Sequence, residues 1–105
     1  MNSDALNFII RAVVEAAKPV YGDTVDDAAI LDTRNKPTRN NASARQAMCM
    51  TMRDTMGMSY GEIARLTGLS IRNVMRNVKR GRELLTVDVD FALLVDTIEE
   101  KLRDE

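Results

Sequence analysis

The sequence has no histidine, no tryptophan and a single cysteine among its 105 residues. One cysteine cannot form a disulfide framework, and without histidine there is no recognisable zinc site. We find no glycine-rich phosphate loop and no converging set of carboxylates, which argues against an enzyme. No apolar run is long enough to cross a membrane. We therefore expect a cytoplasmic, non-enzymatic protein that holds no cofactor and no metal.

Aromatic residues are also scarce, at 4% of the chain, whereas methionine occurs seven times. Methionine is flexible and fills irregular core space, so it can replace part of the missing aromatic volume. We interpret the methionine run of the helix expected at residues 43–56 as core filler rather than as metal ligands, and Cys49 as a small buried residue rather than a nucleophile. The length is that of one domain with a modest core, and we expect it to span residues 1–105.

The charge of the chain is unevenly distributed, although the formal net charge is only −1. Residues 34–82 contain eleven basic residues and two acidic ones, and both ends of the chain are acidic. A basic central block attracts a polyanion, and acidic ends repel phosphates and so weaken non-specific binding. The distribution favours DNA as the partner. The acidic terminal helices offer a possible surface for a partner protein.

Residues 59–84 have the pattern of a helix-turn-helix. Ser59 and Glu62 have the spacing of a capping box, Gly68 can end the first helix, and Ser70 can cap the second. The second helix has apolar residues at helical spacing, namely Ile71, Val74, Val78 and Leu85. Its other face carries the basic residues Arg72, Arg76 and Lys79. A basic outward face is typical of a helix that enters the DNA major groove, and the alternative is a helical hairpin with a solvated charged face.

The first turns of this second helix are expected to read the DNA sequence. Arg72 can contact guanine through O6 and N7, and Asn73 can contact adenine through N6 and N7. We expect Arg76 to contribute mainly to affinity. Ile71 lies both among the base-reading positions and on the apolar stripe, so thymine-methyl contact and core packing both stay open.

The remaining segments predict four more helices and one basic loop. The helices are expected at residues 3–18, 24–31, 43–56 and 88–103. Pro19 ends the first, Thr24 or Asp26 caps the second, and a Ser43–Gln46 capping box begins the third. Residues 32–42 are interpreted as an exposed loop that reaches the minor groove, with a plain polar linker as the alternative. We interpret the last helix as a structural brace, with a docking surface for a protein as the alternative.

Phosphate contacts are expected from helix N-termini and from one side of the third helix, because free amides and the helix dipole attract anions. Together with the groove contacts, the expected DNA-binding residues are Lys36, Arg39, Arg45, Gln46, Arg53, Ser59, Tyr60, Gly61, Ser70, Ile71, Arg72, Asn73, Arg76 and Lys79. Arg34 is a further basic residue of the loop.

In several of these residues the chain resembles the C-terminal DNA-binding domain of the bacterial replication initiator DnaA. The resemblance rests on Arg45-Gln46, on Ala47-Met48, on residues 58–63 and on Val74 with its basic tail. The order of helices and basic loop agrees over nearly the whole chain. The resemblance implies an all-α, Trp-repressor-like fold of about six helices with a central helix-turn-helix, without an ATPase module. The base-reading segment of the family is replaced here by residues 70–73.

A second resemblance covers the central stretch alone. Residues 59–64, Val74 and the arginine-rich tail are similar to region 4 of bacterial sigma factors and to LuxR-type regulators, most closely in the turn. The first and last helices and the basic loop favour the DnaA-like interpretation. The expected function is sequence-specific binding of double-stranded DNA by a monomeric protein, in replication or transcription control of a phage or mobile element. The alternatives are a sigma region 4-like regulator and a non-enzymatic decoy or adaptor for replication or transcription proteins.

Overall fold

A computed structural model describes residues 3–103, and all of its regular structure is helical. The helices are α1 (Ser3–Tyr21), α2 (Asp27–Leu31), α3 (Arg39–Met50), α4 (Tyr60–Thr67), α5 (Ile71–Val87) and α6 (Val89–Arg103). A short 3-10 turn, Gly22–Thr24, follows α1, and a π-helical turn, Thr51–Thr55, extends α3. The six α-helices confirm the all-α fold with a central helix-turn-helix. No helix within residues 3–103 is long and apolar enough to cross a membrane.

The core lies around α3, which packs against α1, α5 and α6. Met48, Cys49 and Met52 of α3 and its π-helical turn are completely buried, so these methionines fill the core as expected. Four apolar side chains of α6 are also buried, namely Phe91, Leu94, Val95 and Ile98, and Phe91 is the largest of them. Because α1 and α6 pack together on this core, the last helix braces the first.

The caps of the helix-turn-helix form as their sequence pattern predicts. Ser59 Oγ accepts a hydrogen bond from the Glu62 amide at 3.1 Å, and the Ser59 amide donates to Glu62 Oε1 at 2.8 Å. Gly68 ends α4 with a φ of +82°, a left-handed conformation that costs glycine little. Ser70 Oγ then accepts from the Asn73 amide at 3.0 Å and begins α5.

The start of α3 differs from the prediction. The helix begins at Arg39 with Thr38 as its N-cap, not at Ser43, so the loop shortens to residues 32–38. Asn41 explains the earlier start. Its buried side chain accepts from the Asp26 amide at 2.9 Å and donates to the Thr24 carbonyl at 3.2 Å. These contacts with a segment 15 to 17 residues away hold residues 39–42 in helical conformation, and local spacing does not reveal them.

Two other helix ends also differ. α1 continues through Pro19 to Tyr21, because a proline in the last turn removes only one helical hydrogen bond before the helix ends anyway. α2 begins at Asp27 with Asp26 at its N-cap position, which is one of the two expected caps, and the Thr24 hydroxyl instead donates to the Tyr21 carbonyl at 2.7 Å. Neither change alters the order of the elements.

Candidate nucleic-acid interface

The helix α5 has one buried face and one exposed face. Val74, Val78 and Gly81 are buried against the core, whereas Leu85, expected on the same stripe, is 40% exposed. Gly81 allows a close approach of α5 to α3, because a Cβ at this position would lie 3.1 Å from the Gln46 carbonyl oxygen and 3.2 Å from Met50 Cβ. This packing fixes which face of α5 turns outward.

The outward face of α5 carries cations around an apolar strip. Arg72, Arg76 and Lys79 are all exposed, as their spacing predicts. Ile71 is 52% exposed and Met75 49%, which makes Ile71 a surface residue rather than part of the core. A shallow open groove is lined by Tyr60, Ile71, Arg72, Met75, Arg76, Lys79 and Arg82. We call this groove the α5 groove.

Asn73 is placed less favourably than the sequence suggests. It is half-buried, and Asn77 Nδ2 donates both to its carbonyl oxygen, at 2.8 Å, and to its side-chain oxygen. A bidentate contact with adenine uses both the oxygen and the nitrogen of the asparagine amide. Since Asn77 occupies that oxygen in this structure, Asn73 is less accessible for such a contact than its position in the sequence suggests, whereas Ile71 and Arg72 are exposed.

The start of α4 lies beside the α5 groove. Ser59 Oγ is already used as the helix cap, so the amides of Tyr60 and Gly61, the first two of the helix, are the donors that an anion can reach. The charged neighbour of this end is Glu62, whose pKa the hydrogen bonds from Ser59 lower. A phosphate at the amides of Tyr60 and Gly61 would therefore have a carboxylate nearby.

Arg53 holds the start of α4 in place. Its Nη1 donates to the Met58 carbonyl at 3.1 Å, and its guanidinium carbon lies 4.6 Å from the centre of the Tyr60 ring. The side chain is half-buried and not free on an outward face. Arg53 was expected to contact phosphate, and in the structure it positions Tyr60 at the edge of the α5 groove.

The π-helical turn also carries Asp54, which pairs with Arg82 of α5. Arg82 Nε donates to Asp54 Oδ2 at 2.9 Å, and a second nitrogen donates to the other carboxylate oxygen. These hydrogen bonds lower the pKa of Asp54 and raise that of Arg82. Arg82 was absent from the expected DNA contacts. Its position three residues after Lys79 was the signal that could have placed it at the groove.

Arg45 was expected to contact DNA, and the structure corrects this expectation. The residue is only 6% exposed. Its Nε donates to the Ile30 carbonyl at 2.6 Å, and its Nη2 donates to the Asp32 carbonyl at 2.6 Å and the Ala29 carbonyl at 3.4 Å. These carbonyls belong to the end of α2, where backbone oxygens lack helical partners. Arg45 therefore stabilises the end of α2 and the base of the loop. Its neighbour Gln46 is half-buried where α5 crosses α3.

The basic loop is ordered around Asp32. The Asp32 carboxylate accepts from the Arg34 amide at 2.8 Å and from Asn35 Nδ2 at 2.9 Å. The bonds from Asn35 and Arg34 lower the pKa of Asp32. The side chains of Arg34 and Lys36 are exposed, so both can reach a ligand.

Arg39 lies apart from the first turn of α5. It lines a small depression together with Asp88 and Asp90, at the opposite end of α5. The 17 residues of α5 span about 25 Å at 1.5 Å per residue. The two aspartates would repel a phosphate at Arg39, which speaks against its expected role. The structure thus does not bring the end of the loop next to the base-reading turn.

A comparison with protein families agrees with this geometry over the central segment. Residues 43–85 match the family model described as Sigma-70, region 4. The match covers most of α3, the π-helical turn, α4 and most of α5, which is less than half of the chain. No curated protein and no solved structure gave a match. The match supports a DNA-binding helix-turn-helix in transcription regulation, and it supports the likeness to sigma region 4. The DnaA likeness stays a prediction.

Proposed function

We propose that this chain binds double-stranded DNA in a sequence-specific manner, with α5 in the major groove, and that it regulates transcription. The α5 groove is the observation that carries the proposal. It sets exposed cations along the outward face of a helix whose opposite face is buried in the core. A helix with this arrangement fits the width of the major groove, and its first turns reach the base edges.

The residues of the groove have separate roles in this proposal. Arg72 lies in the first turn of α5 and contacts guanine, because its two donors match O6 and N7. Arg76 and Lys79 lie further along the same face and contact phosphates. The amides of Tyr60 and Gly61 bind a further phosphate at the start of α4.

The basic loop makes a second contact with the same duplex. Arg34 and Lys36 are its exposed cations, and we place them in a minor groove, where narrow A·T-rich tracts attract basic side chains. Arg39 directly follows the loop and lies near Asp88 at the far end of α5, and α5 is about 25 Å long. One turn of B-DNA is longer, at about 34 Å, so in this proposal one duplex meets both the loop and the first turn of α5. Arg39 is left out because Asp88 and Asp90 are its neighbours.

The test begins with selection of preferred duplexes from a random pool, followed by competition between one preferred and one scrambled duplex. Arg72→Ala should lose about 1–3 kcal/mol on the preferred duplex and much less on the scrambled one. Arg76→Ala should weaken both alike, because phosphates carry no sequence information. Arg11→Ala, an exposed arginine of α1, is the control and should change neither. An unchanged affinity ratio for Arg72→Ala would remove sequence reading from α5.

A second candidate function, contact with a partner protein, is favoured by one observation. Val87, Val89 and Leu93 are 78%, 83% and 52% exposed around the start of α6, next to Asp88 and Asp90. An apolar surface with acidic neighbours suits a basic partner segment. If the chain bound no duplex at low salt, this adaptor function would replace DNA binding. A role in replication, a phage or mobile-element origin and a monomeric state stay predictions.

A further inference from the structure

The apolar floor of the α5 groove is the feature that DNA binding by cations alone leaves unexplained. Ile71 and Met75 are four residues apart, so they lie on one face of α5 about 6 Å apart along the helix axis. Each is about half exposed, at 52% and 49%. Three cations without an ion pair among the described residues share the groove with them, namely Arg72, Arg76 and Lys79, and a fourth, Arg82, is paired with Asp54. A ligand that is anionic overall and apolar locally would match this combination of cations and exposed apolar side chains.

The major groove of DNA combines these two properties. Its phosphates are anionic, and among the four bases only thymine presents an apolar group there, the 5-methyl group. We propose that Ile71 and Met75 read the 5-methyl groups of thymines in the preferred site. This inference rests on the proposed function and deepens it by naming the base and the atoms that are recognised.

The spacing of the two side chains limits which thymines they reach. Successive bases of one strand are about 3.4 Å apart along the duplex, so a 6 Å separation along α5 corresponds to at most about two base-pair steps, and to fewer where α5 is inclined to the duplex axis. The preferred site should therefore contain two T·A pairs within a few steps of each other, beside the guanine that Arg72 contacts.

The experiment replaces thymine by deoxyuridine in the selected duplex, one position at a time and then at two positions. This change removes only the methyl group and keeps the base pair and its hydrogen-bonding edge. Burial of one methyl group contributes about 0.8 kcal/mol, so each relevant replacement should weaken binding about fourfold, and two replacements about 15-fold. Thymines outside the contact should show no change.

Variants of the protein then connect the effect to the two side chains. Ile71→Ala and Met75→Ala should each weaken binding to the thymine duplex. Each variant should also lose the preference for thymine over deoxyuridine at a single position of the duplex, so that the ratio of the two affinities there approaches one. Both residues are exposed, so the variants should fold, which the helical circular dichroism signal checks. Leu93→Ala removes a similarly exposed apolar side chain from α6 and should leave the ratio unchanged.

Three outcomes would overturn the inference. If salt-dependent binding of duplex DNA were insensitive to every thymine replacement, the proposed function would stand and the methyl contact would be wrong. If the Ile71→Ala/Met75→Ala double variant still bound the thymine duplex more tightly than the deoxyuridine duplex, other residues would read the methyl groups. If no duplex bound at all, the proposed function would fail together with the inference, and an acidic partner helix would be the occupant of the α5 groove to examine.

Discussion

Arg45 and Arg72 have the same side chain and opposite environments. Arg45 is buried, with its donors used by three backbone carbonyls at the end of α2 and the start of the loop. Arg72 is exposed on α5 and lines the α5 groove. A guanidinium has five N–H donors, so it can satisfy several backbone oxygens at once or bind one base edge bidentately. The surroundings decide which of these uses is available.

We expect Arg45→Ala to lower the free energy of unfolding by about 2–3 kcal/mol, because buried carbonyls lose their partners. Urea denaturation measures this change. The affinity of the folded protein for a duplex without an A·T-rich flank should stay the same, because Arg45 is buried and supports the loop rather than α5. Arg72→Ala is the matched control, with a stability change within about 0.5 kcal/mol and a loss of affinity. A stable Arg45→Ala protein that no longer bound DNA would restore Arg45 to the interface.

Cys49 provides a pH prediction at the same scale. Burial raises the pKa of its thiol from 9.0 to about 12. The folded state therefore keeps a proton that the unfolded state loses above pH 9, so this contribution to stability is complete below pH 9 and is lost as pH rises toward 12. Unfolding of the wild type and of Cys49→Ala, measured between pH 8 and 11, should show the steeper decline in the wild type. Equal slopes would mean that the thiol titrates normally in the folded protein.

Among the elements, those defined by local contacts were predicted best. The caps at Ser59 and Ser70 and the turn at Gly68 involve residues at most four apart, and they form as expected. The start of α3 was wrong because Asn41 bonds to residues 24 and 26. The π-helical turn was not expected either, and it carries Arg53 to Tyr60 and Asp54 to Arg82. Contacts across such distances depend on the packed fold, which spacing within one helix does not encode.

Two helical glycines, Gly61 and Gly81, lead to opposite predictions. A Cβ at Gly61 would meet its nearest neighbours at ordinary distances, 3.7 Å from Arg65 Nη1 and 4.0 Å from Ser59 Oγ. Gly61→Ala should therefore stabilise the fold by about 0.5–1 kcal/mol, because glycine loses more backbone entropy on folding. Gly81→Ala should destabilise it by about 1–3 kcal/mol, because the new Cβ would crowd Gln46 and Met50. Thermal unfolding compares the two variants.

The Gly61→Ala variant also tests whether the start of α4 binds a phosphate. If a phosphate approaches the amides of Tyr60 and Gly61, a methyl group at position 61 should weaken DNA binding despite the gain in stability. A Gly61→Ala protein that was more stable and bound DNA as before would remove this contact from the interface. Loss of stability in Gly61→Ala would instead point to a conformational need for glycine at this helix start.

For the whole molecule, the net charge of −1 is a poor guide to the partner, because the basic residues are concentrated between positions 34 and 82. The fold divides them further. Arg45 is used internally, Arg53 holds Tyr60, and Arg82 pairs with Asp54. Within residues 3–103, Arg72, Arg76 and Lys79 of α5 form no ion pair, and the same is true of Arg34 and Lys36 in the loop. These five cations are the ones that the proposed DNA contacts use, and Arg65 of α4 is a further exposed cation without an ion pair among the described residues.

The salt dependence of DNA binding should show how many of these cations contact the duplex. Each neutralised phosphate contributes about 0.9 to the slope of log K against log salt, so the two phosphate contacts of Arg76 and Lys79 give a slope of about −1.8, and two further contacts through the loop give about −3.6. The wild type should show the steeper value if the loop and α5 bind one duplex together. The double variant Arg34→Gln/Lys36→Gln should show the shallower value and lose affinity mainly on sites with an A·T-rich flank.

Arg11→Gln/Lys18→Gln is the control for this measurement, because it removes one arginine and one lysine that are exposed on α1. It changes the net charge by the same amount and should leave the slope near that of the wild type. A loop variant with an unchanged slope would show that residues 32–38 are a linker and that α5 alone contacts the duplex. If the α1 control lowered the slope as much as the loop variant, the effect would come from overall charge, and the two-contact geometry would lose its support.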